Sequence, residues 1–196
     1  TTTLAGPQNS AEIDVAGLNA NKYLSLRFLP SPGSLVDEAT VNDSEIVCTL
    51  TLSDGTTFAV SGPGSKVDDM YRYVLPDSFM FIPGQVTVSF GAGVWTDTAG
   101  RTNVASVERF TVLGATARLA DYVEYSRIDL AVINRNSYID VSFAPSGQSA
   151  LVEASITGYS GVLFTLTVGS GAPVSIHGPP AKITDNVYRY TLPNGF

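Results

Sequence analysis

Residues 13–28 read IDVAGLNANKYLSLRF, and residues 128–143 read IDLAVINRNSYIDVSF, an offset of 115 residues (128 − 13). A second pair, YRYVLPDSF at 71–79 and YRYTLPNGF at 188–196, repeats with an offset of 117 residues (188 − 71). A period of this length corresponds to a whole domain, since the units of solenoid proteins run about 20 to 50 residues. The repeated segments therefore predict two tandem copies of one domain.

Apolar and polar residues alternate within the repeated stretch, which is typical of strands with one buried face. Leu24, Leu26 and Phe28 are predicted to point inward, and the second copy keeps this parity at Ile139, Val141 and Phe143. A slip of one residue would exchange the two faces of a strand, so the preserved parity predicts the same sheet in both copies. The same alternation predicts three further strands, around 48–52, 86–90 and 110–112.

Turn-forming residues separate these runs, among them PSPG at 30–33, SDG at 53–55 and SGPG at 61–64, and no run has a sustained helical period. Short strands in units of this length predict an all-β chain of tandem immunoglobulin-like antiparallel β-sandwiches. The expected domains are residues 1–113 and 114–196.

The second expected domain ends at Phe196, the match of Phe79, so it lacks the last strands of the first. We expect an open sheet edge there, completed by a longer parent chain or by a strand from another chain.

Composition narrows the classes of partner. The chain of 196 residues has 44% hydrophobic and 15% charged residues, a net charge of −7 and only three lysines. With no basic stripe, we expect no binding to nucleic acid, and with no apolar run of about 20 residues we expect no membrane insertion. Cys48 is the only cysteine. It cannot form an internal disulfide, and it aligns with Phe164, which predicts a core position.

Several stretches carry a resemblance to a known family. They are the repeated segments above, the two YRY motifs, and residues 95–103, WTDTAGRTN. Together they resemble the bacterial Ig-like tandem repeats of giant calcium-associated adhesins and other repeats-in-toxin (RTX) surface proteins exported by type I secretion. The resemblance covers nearly the whole chain, but the GGxGxD calcium nonapeptide of the secretion region is absent.

This resemblance implies a secreted, extracellular module of a bacterial cell surface, often stiffened by Ca²⁺ and without catalytic activity. It implies neighbouring repeats of the same chain as partners, and a glycan or cell-surface receptor as a further partner. No cofactor other than Ca²⁺ is indicated.

Calcium prefers six to eight oxygen ligands gathered on loops. The candidate ligands are Asp14 and its repeat partner Asp129, Asp97 in its glycine-flanked loop, and Asp121 with Glu124 beside the domain junction. The neighbouring pair at 68–69 is a further candidate. No EF-hand spacing is present, and the alternative interpretation is that these are solvated turn residues.

The repeated YRY motif supports two interpretations. Tyr71, Tyr73, Tyr188 and Tyr190 could stack on sugar rings, or they could pack inward with a hydroxyl that ties down a loop. The repeated asparagines at 19, 21, 134 and 136 are expected to support turns.

The sequence favours no enzyme. His177 is the only histidine, and no Gly-x-Ser-x-Gly nucleophile elbow is present. One histidine and one cysteine cannot supply a zinc site. Together with the repeat, the resemblance implies a non-enzymatic structural or adhesive repeat of a large secreted bacterial surface protein. The alternatives are a carbohydrate-binding or accessory module of a polysaccharide-active enzyme, and a strand-exchanging subunit of a surface filament.

Overall fold

The structure is a computed structural model that describes residues 1–41, 46–123, 126–127, 129–147 and 149–193. Ile128, Glu124 and Phe196, which enter the sequence-based predictions, lie outside these ranges. The protein is mostly β: of the described residues, 43% lie in strands and 12% in helices. The chain divides into two compact units, Thr1–Gly114 and Ala115–Phe196.

In its described residues, the first unit contains nine strands and two short helices. In chain order they are β1 (Thr2–Gly6), β2 (Glu12–Asp14), α1 (Val15–Asn21), β3 (Tyr23–Phe28), α2 (Glu38–Val41), β4 (Ile46–Thr51), β5 (Thr57–Ser61), β6 (Ser65–Val67), β7 (Met70–Val74), β8 (Gly84–Phe90) and β9 (Ser106–Leu113).

These strands form two sheets that share one core. One sheet has the strand order β1-β3-β7-β6, and the other has the order β2-β9-β8-β4-β5. The strands pair antiparallel, except that β2 lies parallel to β9. Buried side chains of both sheets belong to a single hydrophobic cluster. Each fully buried Leu, Val or Phe of such a core stabilises the fold by about 1.5–3 kcal/mol relative to exposure.

The predicted alternation is confirmed in the strands of the first unit. Val86, Val88 and Phe90 are buried, while the residues between them are half-buried. In β3 the parity holds for the inward leucines, but Ser25 on the opposite face is also buried. The physical reason is that β3 lies between β1 and β7, so the neighbouring strands cover a short polar side chain on either face.

The short helices correct the sequence-based prediction, which contains no helix. Asp14 caps α1, and the helix ends at Lys22 in the left-handed region, where the Lys22 N–H donates to the Leu18 carbonyl at 2.8 Å. Seven residues do not form a stable helix in isolation. Here the helix is held by the burial of Leu18 and by two hydrogen bonds between Asn19 and the Phe81 backbone.

The second unit contains six strands and two helices in its described residues. They are β10 (Thr116–Leu119), α3 (Leu130–Asn136), β11 (Tyr138–Ala144), α4 (Glu153–Thr157), β12 (Val162–Leu166), β13 (Val174–His177), β14 (Ala181–Lys182) and β15 (Val187–Thr191). They form a sheet of order β10-β11-β15-β14 and a separate pair, β12-β13. A smaller cluster of buried side chains forms the core.

The two units correspond element by element where both are described. The offset of 115 residues superimposes α1 on α3 and the start of β3 on that of β11, and β10-β11-β15-β14 has the order of β1-β3-β7-β6. The pair β12-β13 corresponds to β4-β5. Strands corresponding to β8 and β9 are not present in the described part of the second unit. Identical faces of the repeated strand are buried, since Ile139 and Val141 take the inward positions of Leu24 and Leu26.

Candidate functional site

The tyrosines of the two YRY motifs are core residues. Tyr71, Tyr73, Tyr188 and Tyr190 are each at most 4% exposed, because β7 and β15 are interior strands and alternate positions on them point inward. Tyr71 packs edge-to-face on Phe28 at 5.2 Å between ring centroids. A ring buried in this way presents no face to a sugar, so the structure corrects the stacking hypothesis for all four tyrosines.

The hydroxyl group of Tyr73 has a structural role. It donates to the carbonyl oxygen of Val41 at 3.2 Å and so ties α2 to the sheet. Burial raises the pKa of Tyr73, and burial likewise raises the pKa of Tyr190. Both hydroxyls therefore stay protonated at physiological pH.

The arginine between the tyrosines faces away from the core and stacks on a repeated tyrosine that the sequence-based interpretation missed. The Arg72 guanidinium carbon lies 4.1 Å from the ring centroid of Tyr23, and that of Arg189 lies 3.5 Å from Tyr138. Arg189 also binds Asp140 through two hydrogen bonds of 2.8 Å, and this contact raises the pKa of Arg189. The signal was present in the sequence, because both the arginine and its tyrosine recur in each copy.

Asp14 and Asp129 are helix N-caps. Oδ1 of Asp14 accepts from the N–H groups of Ala16 and Gly17 at 2.9 and 3.2 Å, and Oδ1 of Asp129 accepts from Ala131 at 2.9 Å. A cap of this kind stabilises a helix by about 1 kcal/mol. Capping therefore explains why an aspartate recurs at these positions, without a metal ion.

Asp97 organises the connection between β8 and β9. Its Oδ1 accepts from the backbone N–H groups of Ala99 and Arg101 at 2.9 and 3.0 Å, and its Oδ2 accepts from Ser31 at 3.3 Å. The side chain is buried, and the hydrogen bond from Arg101 is the main cause that lowers its pKa. The carboxylate thus fastens its own loop to a loop 66 residues earlier.

The last residue of the WTDTAGRTN segment, Asn103, closes the same connection. Its Oδ1 accepts from the N–H groups of Val94 and Trp95 at 2.7 and 3.1 Å, and its Nδ2 donates to the carbonyl of Gly91 at 2.6 Å. The Trp95 indole is buried and donates to Oγ1 of Thr2 at 2.8 Å. The motif therefore has a structural explanation, since its polar residues bond the backbone of their own loop.

The remaining acidic candidates are spread over the surface. Asp121 is exposed, and Glu124 lies outside the described residues. Asp68 adopts a left-handed conformation between β6 and β7, and Asp69 pairs with Arg27 at 2.9 Å between Oδ2 and Nε. Within the described ranges, no three or more His, Cys, Asp or Glu side chains are grouped so that they could hold a metal ion.

Cys48 and His177 differ in their exposure to solvent. Cys48 is buried in β4, and burial raises the pKa of its thiol to about 12. The thiol is therefore protonated and shielded. His177 is exposed at the end of β13.

The second unit contains an apolar groove of about 360 Å³. It lies between the sheet strands β10 and β11 on one side and β12 on the other. The lining residues are Ala117, Arg118, Leu119, Ile139, Val141, Phe143, Leu163, Phe164, Thr165 and Leu166. Ile139 and Val141 of this lining are core residues, whereas Leu119 is 41% exposed and Phe143 and Phe164 are half-buried. Because it exposes apolar side chains, the groove is the candidate binding site.

No protein-family model and no curated protein matches the chain. A solved structure that is similar to it is the crystal structure of CopC from Methylosinus trichosporium OB3b. The two share 18% sequence identity with a TM-score of 0.34, over 57% of this chain and 93% of CopC. A similarity at this level supports no conclusion about fold or activity. In the described part of the chain, no helix has the length and apolar character needed to cross a bilayer.

Proposed function

We propose that the protein is a non-enzymatic tandem immunoglobulin-like module of a large secreted bacterial surface protein, with a structural or adhesive role. The strand order of the first unit carries this proposal. In an immunoglobulin-type sandwich, strands A, B, E and D form one sheet and strands G, F and C the other. By chain order, β1-β3-β7-β6 takes the places of A-B-E-D, and β9-β8-β4 takes those of G-F-C. The strands β2 and β5 extend the two edges of the second sheet.

The tandem character is supported by the second unit, whose sheet β10-β11-β15-β14 repeats the A-B-E-D order. The capped helix before the B strand also recurs, with Asp14 and Asp129 as caps and Lys22 and Ser137 as left-handed ends. Correspondence at this level of detail favours duplication of one domain. Proteins that repeat whole domains in series gain reach or multivalent contact.

The non-enzymatic character is supported by how the polar candidates are used. Asp97 and Asn103 bond their own loop, Tyr73 ties a helix to the sheet, and the Cys48 thiol is buried and protonated. Each of these groups is bonded or buried within the fold. The secreted location, and a glycan or surface receptor as partner, rest on the family resemblance.

Small-angle X-ray scattering of the full chain tests the proposal. A single compact globule of this length has a radius of gyration of about 16 Å, whereas two modules in series give a value above about 20 Å. We expect the larger value and a maximum dimension near twice that of one module. A profile that fits one compact globule would contradict the role as a serial module.

Calcium is not part of the proposal, because Asp14, Asp97 and Asp129 each use an oxygen on backbone N–H groups. Scattering and thermal melting with added calcium and with a chelator are expected to coincide. A ligand that binds only the folded state would raise the melting temperature with its concentration, so a calcium-dependent rise would restore the hypothesis.

A further inference from the structure

The outer face of the repeated sheet carries the same arginine in both units. In the first unit Arg72 stacks on Tyr23, with its guanidinium carbon 4.1 Å from the ring centroid. In the second unit Arg189 stacks on Tyr138 in the same way. The two arginines lie on the corresponding strands β7 and β15, and both are half-buried. Each unit therefore holds a guanidinium group at the same place in the sheet.

The second unit shows which group this arginine binds. Asp140 lies directly opposite Arg189 in the pairing of β11 with β15, and its side chain is buried. The two oxygens of Asp140 accept hydrogen bonds of 2.8 Å from Nε and Nη2 of Arg189. The hydrogen bonding to Asp140 is the main cause that raises the pKa of Arg189, and the charge of Asp121 adds a smaller contribution. A planar guanidinium group is suited to this two-point binding of a carboxylate.

The first unit keeps the arginine but lacks both acids. At the offset of 115 residues, Ser25 takes the place of Asp140. Ser25 is also paired directly opposite Arg72, so the sheet pairing agrees with the sequence offset. At the same offset, Gly6 takes the place of Asp121. The carboxylate that the second unit provides from its own chain is therefore absent beside Arg72.

The described residues supply no other acceptor to Arg72. Its Nε atom is buried and has no hydrogen-bond partner among them, which is an unfavourable state for a donor. Two neighbouring cations of the same sheet are paired, since Arg27 binds Asp69 and Lys66 binds Glu38. The side chain of Arg72 is only half-buried, so part of its guanidinium group faces solvent. The first unit thus presents an oriented cation without its carboxylate.

We propose that Arg72 is the centre of a carboxylate-binding site on the outer face of β1-β3-β7-β6. The ligand is the side chain of an aspartate or glutamate on a polypeptide partner, because an aspartate side chain from a neighbouring strand binds at the corresponding place in the second unit. The carboxylate binds the solvent-facing edge of the guanidinium group, which the ring of Tyr23 orients. Val74 is 74% exposed and lies opposite Tyr23, so it offers the partner an apolar contact beside the charge. The inference does not depend on the role as a surface module.

The two units allow a test with an internal control. In proton–nitrogen NMR spectra of the full chain, we expect sodium acetate to shift the Nε–H signal of Arg72 and to leave that of Arg189 in place, relative to sodium chloride at equal ionic strength. Asp140→Ser should make the Arg189 signal respond as well. Ser25→Asp should abolish the response of Arg72, because the new carboxylate occupies the guanidinium group from within the chain.

A tripeptide of glycine, aspartate and glycine with blocked ends is the probe for the polypeptide partner. The same peptide with asparagine in place of aspartate is its control, and it should bind at least about tenfold more weakly, because it lacks the charge-assisted hydrogen bonds. Arg72→Lys keeps the positive charge but loses the two-point geometry. It should weaken binding of the aspartate peptide about fivefold or more, as read from the ring signals of Tyr23.

Several outcomes would overturn the proposal. They are an equal effect of acetate and chloride on Arg72, an equal response of Arg189 in the unaltered chain, and undiminished binding by Arg72→Lys. A Ser25→Asp chain that keeps the dispersed spectrum of the folded protein and still responds at Arg72 would also overturn it. Tighter binding of galacturonate than of the aspartate peptide would overturn the polypeptide partner and assign the site to an acidic sugar.

Discussion

Replacing Leu4 and Leu119 by alanine, one at a time, compares the same side chain in a covered and an uncovered setting. Leu4 is 7% exposed, pairs with Leu26 and is covered by β9. Leu→Ala at a site of this kind removes the transfer free energy and leaves a cavity, so we expect the free energy of unfolding to fall by about 3 kcal/mol. Leu119 pairs with Val141 in the same register but is 41% exposed. Solvent fills the space that it leaves, so we expect a loss of about 1 kcal/mol or less.

Each substitution is measured in its own unit. Trp95 is the only tryptophan and packs against Phe28 at 5.4 Å between ring centroids, so its fluorescence in a urea titration reports the first unit. The slowest-exchanging amides of β15 report the second. Equal losses near 3 kcal/mol at both sites would refute the reasoning, because they would mean that Leu119 is covered in solution.

Three further predictions concern side chains of the first unit. Burial of Cys48 should leave its thiol unlabelled by a thiol reagent in the native protein near neutral pH, with full labelling after denaturation. The lowered pKa of Asp97 means that its carboxylate stabilises the fold at pH values above the ordinary carboxyl pKa of about 4. This contribution is lost as the pH falls through the lower pKa of the folded state. Asp97→Asn should therefore flatten the acid limb of a curve of unfolding free energy against pH. Asn19→Ala should cost about 2 kcal/mol in urea unfolding, because two hydrogen bonds to Phe81 are lost. The exposed neighbour substitution Asn21→Ala should cost about 0.5 kcal/mol or less.

The strands were predictable because the alternation of apolar and polar residues that indicates a strand lies within a few neighbouring residues. Alternation in two copies identifies the inward face of β3 and β11, and burial at Leu24 and Ile139 agrees with it. The short helices were not predictable in the same way. Helix α1 contains Gly17 and ends at Lys22, neither of which signals a helix, and it is held by the distant residue Phe81.

The polar candidates were hard to interpret because their roles depend on partners far along the chain. Asp97 has the residue type and loop setting of a calcium ligand, but its oxygens bond backbone groups that include Ser31. The partner of Arg72 is Tyr23, which only the pairing of β3 with β7 brings close. The groove likewise depends on the packing of β10, β11 and β12, which no local pattern in the sequence reveals.

The parallel pairing of β2 with β9 has a mechanical consequence. Glu12, Ile13 and Asp14 lie beside Thr111, Val112 and Leu113, and the chain enters at one end of this pair and leaves at the opposite end. Tension applied through the two ends of the first unit therefore pulls the paired strands lengthwise past each other and loads their hydrogen bonds together. An antiparallel pair pulled from the same end would instead open one bond at a time. Under a steady pull, this parallel pair should therefore resist a larger force than a pair that opens bond by bond.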